Sequence, residues 1–251
     1  MKVVKNKNKH YDQQISYFGS EFATVDKYEL LPWQKSHVDR IKKYLLGNNY
    51  KKKKLIDIGT GRGYVAIEMA KLGLDVIACD LTREALDNIA RFKKEFKLKN
   101  IKLIECKAEK IPIKSESVDF VVANAILEHI PQEREAITEW SRILKPGGRM
   151  YITVPLQYRY VWPFFWPINY IHDKNLGHLR RYDVSILQKK FGFKVTKYFY
   201  TGHFIKVVGV LLFIIWKTER FKKQLEIFDS KTVTKRYGAN NVIVVLEKGK
   251  K

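Results

Sequence analysis

Residues 55–70, LIDIGTGRGYVAIEMA, constrain this chain more than any other stretch. Leu55, Ile56 and Ile58 form a short apolar run of the kind a central parallel strand needs. Gly59, Gly61 and Gly63 then alternate with Thr60 and Arg62. Glycine accepts positive φ and has no Cβ, so a turn built of it lets a ligand come close to the backbone. Val65, Ala66, Met69 and Ala70 follow at helical spacing. The start of such a helix offers free N–H groups and a partial positive charge. Strand, glycine turn and helix in that order point to an α/β fold with a parallel sheet.

The glycine turn by itself suits a dinucleotide, a nucleoside cofactor or no ligand at all. Two acids narrow the choice. Asp57 lies inside the strand, giving Asp-x-Gly-x-Gly-x-Gly, and a second strand at 75–79 runs into Asp80. A carboxylate there could accept both hydroxyls of a ribose. The third glycine falls one residue too early for the Gly-x-Gly-x-x-Gly of nicotinamide enzymes. A tight turn without a ligand explains the glycines but not the acids.

This pairing resembles the class I S-adenosylmethionine-dependent methyltransferases. The resemblance covers roughly 34–200 and 241–247. It implies S-adenosyl-L-methionine as cofactor. It also implies a Rossmann-like sheet of seven strands, order 3-2-1-4-5-7-6, with helices on both faces and the seventh strand antiparallel. In that family's terms Asp57 supports the loop and the methionyl amine. Gly59, Gly61 and Gly63 let the loop approach methionine and ribose, and Asp80, with Leu81 beside it, takes the ribose hydroxyls. The segment at 107–112 resembles the family's adenine-facing stretch, with Glu109 as candidate for the amine and Ala108 as backbone beside the ring. Asn124 follows a fourth strand at 117–123 and stands near the expected methyl-transfer centre. Leu-Lys-Pro-Gly-Gly at 144–148 is a common turn of the family before a fifth strand at 150–154. An acceptor that must lose a proton needs a general base, for which His129 and His178 are the candidates. No His/Asp/Glu spacing suggests a metal site.

A chain of 251 residues fits a single α/β domain over 1–251, with an N-terminal cover at 1–50 and substrate insertions at 155–182 and 203–240. Residues 1–9 read as frayed, and 11–31 hold aromatics with few helix signals. Val38, Ile41, Leu45 and Leu46 make an apolar stripe over 34–46, with Gly47 as its C-cap. Thr82 is the expected N-cap of a helix that buries Ala85, Leu86, Ile89 and Phe92. Asp183 is expected to cap a helix through Lys190 that Gly192 ends. Strands follow at 193–200 and 241–247.

The insertion at 155–182 separates into two halves. The first has seven aromatic residues and three prolines, which are expected to prevent a regular helix. The second carries His172, Asp173, His178, Arg180 and Arg181. An apolar lid beside a cationic cluster suits an amphiphile with an anionic head, though the same features could stack a base and grip phosphate. Residues 204–216 are almost wholly apolar but too short to span a bilayer, which takes ~20 residues. They suit either the membrane interface or a buried helix.

Charge bears on partners. The net charge of +22 would draw the surface to RNA, DNA or anionic lipid. Of the 48 basic residues only 12 are arginine, and a lysine excess spread over the chain is poor equipment for reading bases. The N-terminus has no apolar core after its lysines, so the expected location is cytoplasmic, with peripheral membrane contact in view. Cys79 and Cys106 read as reduced core residues. The expected function is methyl transfer to a small-molecule or lipid-like acceptor. An RNA or protein methyltransferase and a non-catalytic cofactor-binding protein are the alternatives.

Overall fold

A computed structural model of the chain describes residues 7–203 and 234–250, together with Gln224 and Ile227. The apolar segment at 204–216 and most of the expected insertion at 203–240 lie outside the described residues.

Seven short apolar runs become the strands β1 (Lys54–Ile58), β2 (Asp75–Asp80), β3 (Ile101–Glu105), β4 (Val118–Asn124), β5 (Leu144–Pro155), β6 (Lys194–Thr201) and β7 (Asn241–Glu247). They form one sheet in the order β3-β2-β1-β4-β5-β7-β6. Strands β3 to β5 run parallel, and β7 is inserted antiparallel between β5 and β6. This is the seven-stranded methyltransferase sheet that the resemblance implied.

Successive side chains of a strand point to opposite faces, so each central strand feeds two cores. Leu55, Phe120 and Val122 pack with the helices α2 (Pro32–Arg40), α3 (Tyr64–Lys71) and α4 (Arg83–Glu95). Ile56, Val121 and Ala123 pack on the other face with α5 (Glu133–Ile143) and α7 (Val184–Phe191), around Trp140 and Phe191. In α4 the buried residues are Ala85, Leu86, Ile89 and Phe92, as their spacing requires. Thr82 stands at its N-cap, but its hydroxyl bonds Asp80 instead of the helix. Asp183 caps α7, its Oδ1 accepting from the Ile186 N–H at 2.9 Å, and Gly192 ends the helix at φ 66°.

Four features differ from the sequence expectations. First, residues 7–23 form a helix, α1 (Lys7–Ala23), where fraying and coil were expected. Its polar composition gives it little reason to be helical alone. It is held from outside, by a His10 Nε2 bond to the His129 carbonyl and an Asn88 bond to the Phe22 carbonyl. Second, β5 begins at Leu144, so the Lys-Pro-Gly-Gly turn belongs to the strand. There Gly147 donates to the Lys248 carbonyl, and the Lys248 N–H donates back to Gly148. Third, α6 (Trp166–Leu176) is a regular helix inside the insertion. Pro167 lies in its first turn, where the missing N–H would have had no partner anyway. Fourth, Cys79 and Cys106 are joined as a disulfide with their Cα atoms 6.3 Å apart. Parallel pairing of β2 with β3 brings Cys79 opposite Ile104 and leaves Cys106 just beyond the strand end, within reach.

Candidate active site

Open parallel sheets leave a crevice beyond the carboxyl ends of their strands, where the order reverses. Here β1 lies between β2 and β4, and the loops after these strands meet in a cavity of about 470 Å³. Gly59, Gly61, Asp80, Leu81, Ala108, Glu109, Asn124 and His129 all line it. Three sequence candidates do not. Asp57 and Gly63 lie behind the loop, and His178 lines a second cavity in the insertion.

Asp80 ends β2 and is buried. Its Oδ2 accepts the Gly61 N–H at 2.9 Å, and its Oδ1 accepts the Thr82 N–H and hydroxyl at 2.9 and 2.8 Å. Burial pushes its carboxyl upward, and no cation offsets this. Asp57, 1% exposed, accepts from the Thr60 hydroxyl at 2.7 Å. Burial, with the Asp80 charge adding, pushes it up to about 7. Asp57 therefore shapes the loop from behind. Gly63 also has a structural use. It stands at φ 76° before α3, and a Cβ there would lie 2.5 Å from the Ile89 side chain of α4.

Glu109 faces the cavity from the loop after β3. Its Oε1 accepts from the Tyr11 hydroxyl of α1, while its Oε2 is buried with no partner. Phe18 and Phe22 of α1, stacked at 5.9 Å, roof the same space, and Trp33 closes one side. A roof helix that the sequence did not announce thus supplies much of the wall.

A hydrogen-bonded chain runs from the cavity into the core. Asn124 Nδ2 donates to the Tyr64 hydroxyl at 2.9 Å, Tyr64 meets His37 Nδ1 at 2.8 Å, and His37 Nε2 meets Thr153 Oγ1 at 3.0 Å. Burial, with Arg40 adding, pushes His37 down to about 3, so the ring is neutral. Tyr64 then donates to Nδ1, and Nε2–H donates to Thr153. Tyr64 and His37 were missed in the sequence. Only the spacing of Tyr64 just past the third glycine could have marked it.

The two histidine candidates sit side by side, their rings edge to face at 4.7 Å. Burial, with His178 and His10 adding, pushes His129 down to about 3. A base that weak accepts little proton near neutrality. His178 Nδ1 bonds Asp173 Oδ1 at 2.9 Å. Asp173 also accepts from Nε and Nη2 of the Arg181 guanidinium, at 2.6 and 2.9 Å, and from the Tyr158 hydroxyl at 2.7 Å. Burial opposes the Asp173 charge, but the bonds from His178 and Arg181 outweigh it and hold the carboxyl well below the usual range. Arg180 spends its guanidinium on the Ile130 and Pro131 carbonyls. The arginines expected to meet an anionic head are thus engaged inside the protein.

The cavity suits the implied cofactor. It offers a buried acid at the end of β2, an unpartnered acceptor on Glu109 and a glycine turn between them. Comparison with known proteins agrees. Residues 56–152 match the methyltransferase domain family. The demethylmenaquinone methyltransferase of Chlorobaculum tepidum is 34% identical over 133 residues, 53% of this chain and 50% of that protein. The tRNA 5-carboxymethoxyuridine methyltransferase of Escherichia coli is 36% identical over 103 residues, 39% of this chain and 38% of that protein. The chain spans about half or less of the length of the curated relatives it matches. The geranyl diphosphate C-methyltransferase of Streptomyces coelicolor superposes over 95% of this chain and 98% of its own, with a TM-score of 0.69 at 14% identity, a likeness of fold. Residues 56–152, which hold the loops after β1 to β4, thus match the methyltransferase domain family, and the sheet around them has the strand order of the class I S-adenosylmethionine-dependent methyltransferase fold.

Proposed function

We propose that the chain transfers the methyl group of S-adenosyl-L-methionine to a small-molecule or lipid-like acceptor. The observation that carries the reading is a pair of acids in one cavity under α1, Glu109 with one oxygen unpartnered and Asp80 buried with no basic partner among the described residues. When bound, the cofactor supplies an activated sulfonium methyl. The chain's own residues orient and exclude water. Asp80 uses its remaining lone pairs on the ribose hydroxyls, and Glu109 Oε2 accepts from the adenine amine. Asn124, fixed by Tyr64, marks the end of the cavity where the acceptor would enter. Phe18, Phe22 and Trp33 keep that space apolar and dry.

The α1 roof favours a small acceptor, because a folded RNA or protein would have to pass Phe18 and Phe22 to reach the cavity. A demethylmenaquinone-acting relative is in keeping with an apolar acceptor. The insertion exposes Trp166, Ile168, Tyr170 and Ile171 on α6, which supports peripheral contact of a cytoplasmic protein with a membrane. The net charge of +22 and the tRNA-acting relative support RNA as a second reading.

The test has two parts. Calorimetric titration with S-adenosylhomocysteine should show one site per chain. Incubation with radiolabelled-methyl cofactor and a cell extract should then place label in the lipid or small-molecule fraction. Label in RNA would favour the second reading. Binding with no label in any fraction would point to a non-catalytic cofactor-binding protein.

A further inference from the structure

We propose that Glu128, His129 and His178 bind one divalent transition-metal ion of the zinc class in the wall between the cofactor cavity and the insertion. Each side chain offers one ligand atom, and the three atoms lie within 4.8 Å of one another. The sequence hides this. Glu128 and His129 belong to a 3₁₀ turn after β4, whereas His178 follows α6 in the insertion. A bond from the Leu179 N–H to the Glu128 carbonyl, at 2.8 Å, pins the two segments together.

Two independent observations point to a ligand. Glu128 Oε2 and His129 Nδ1 are buried with no hydrogen-bond partner, on residues only 1% and 7% exposed. Buried polar atoms ordinarily find partners, and two orphans from adjacent residues facing a third donor are an exception that calls for an occupant. The third donor is already set for coordination. His178 gives its Nδ1–H to Asp173, which fixes the ring and leaves the Nε2 lone pair free to bind. Asp173 is held in turn by Arg181 and Tyr158. A carboxylate behind a ligating imidazole is the usual support of a metal-bound histidine. Two imidazoles and one carboxylate form a donor set suited to zinc, with a position left for water or another oxygen. His172, with its ring 6.1 Å from that of His178, stands outside the triad. Because His129 also lines the cofactor cavity, the ion would stand at its wall.

This inference does not rest on the proposed reaction, since metal binding can be measured with no acceptor present. The full chain is stripped with EDTA, exchanged into buffer and titrated with zinc chloride by calorimetry. Cobalt(II) serves as the spectroscopic probe. We expect one ion per chain, a rise in Tm on loading, and visible cobalt bands of a nitrogen- and oxygen-ligated site. Glu128→Gln keeps the shape of the side chain and should weaken binding by about tenfold or more. His178→Ala should do the same, with the apo-protein's circular dichroism unchanged as the check on folding. Retention of no ion by the wild-type chain overturns the proposal. So does undiminished affinity in a folded Glu128→Gln chain.

Discussion

Two regions of this molecule bury carboxylates to similar depth with opposite results. At the glycine loop Asp57 and Asp80 are 1% and 7% exposed, have no basic partner, and are pushed upward by burial. In the insertion Asp173 is 9% exposed and is held low by His178 and Arg181. Desolvation disfavours the charge in both places, and only the insertion supplies cations to offset it. The contrast separates two uses of a buried acid. One that has found its cation joins segments of the fold. One left with spare acceptor capacity beside a cavity is equipped for a ligand's donors.

Removing Asp173 should break the comparison on its structural side and give the largest effect. Asp173→Ala leaves Arg181 buried without its carboxylate, a class of change that costs about 3–5 kcal/mol of stability. Urea denaturation should show this as a lower midpoint, with affinity for S-adenosylhomocysteine little changed while the chain is folded. A midpoint equal to that of wild type would mean that Asp173 does not hold the insertion. Asp57 tests the other side through pH. Its folded value of about 7 lies above its ordinary 3.8, so its favourable neutral form is complete below about pH 4 and is lost as pH rises towards 7. Asp57→Asn carries no such loss. The Tm of the variant should therefore gain on that of wild type between pH 4 and pH 8, by at most about 4 kcal/mol in stability. A difference that stays constant across this range would contradict the assignment.

The same contrast explains what could be read from the sequence. The loop acids take partners a few residues away or on the neighbouring strand, as Asp57 does with Thr60 and Asp80 with Thr82 and Gly61. Such local motifs carried the family resemblance, and the resemblance implied the sheet order that the structure has. The roof and the histidine cluster depend instead on distant pairings. His10 meets the His129 carbonyl and Tyr11 meets Glu109, each across about a hundred residues, and the Leu179 N–H reaches the Glu128 carbonyl from the insertion. Helix α1 escaped notice because its helicity comes from docking, and α6 because a proline in a first turn looks in the sequence like a proline that breaks a helix.

Asp80→Ala tests the ligand-facing acid directly. The variant loses two charge-assisted bonds to ribose hydroxyls in the proposed complex, so affinity for S-adenosylhomocysteine should fall by about 2–3 kcal/mol, some 30- to 150-fold. The Tm should change much less, although the Gly61 N–H also loses its acceptor. Unchanged affinity by calorimetry would remove Asp80 from the ribose site and, with it, half of the comparison.

The smallest effect is expected where the roof meets the cavity. The Tyr11 hydroxyl donates to Glu109 Oε1 and leaves the other oxygen of this cavity-lining residue without a partner. Tyr11→Phe removes that bond without altering the roof's shape. Glu109 then turns more freely, and about 1 kcal/mol of affinity, roughly fivefold, should be lost. The loss should be specific to the adenine amine. S-inosylhomocysteine carries a carbonyl in place of the amine and should bind the wild-type chain poorly, because the carbonyl faces a carboxylate oxygen. It should bind the variant about as poorly, so the preference for S-adenosylhomocysteine narrows. If both ligands weaken equally, Tyr11 acts on the cavity only by packing. Glu109 would then be an acid left unpaired for some reason other than the adenine, and its place beside Asp80 in the comparison would be lost.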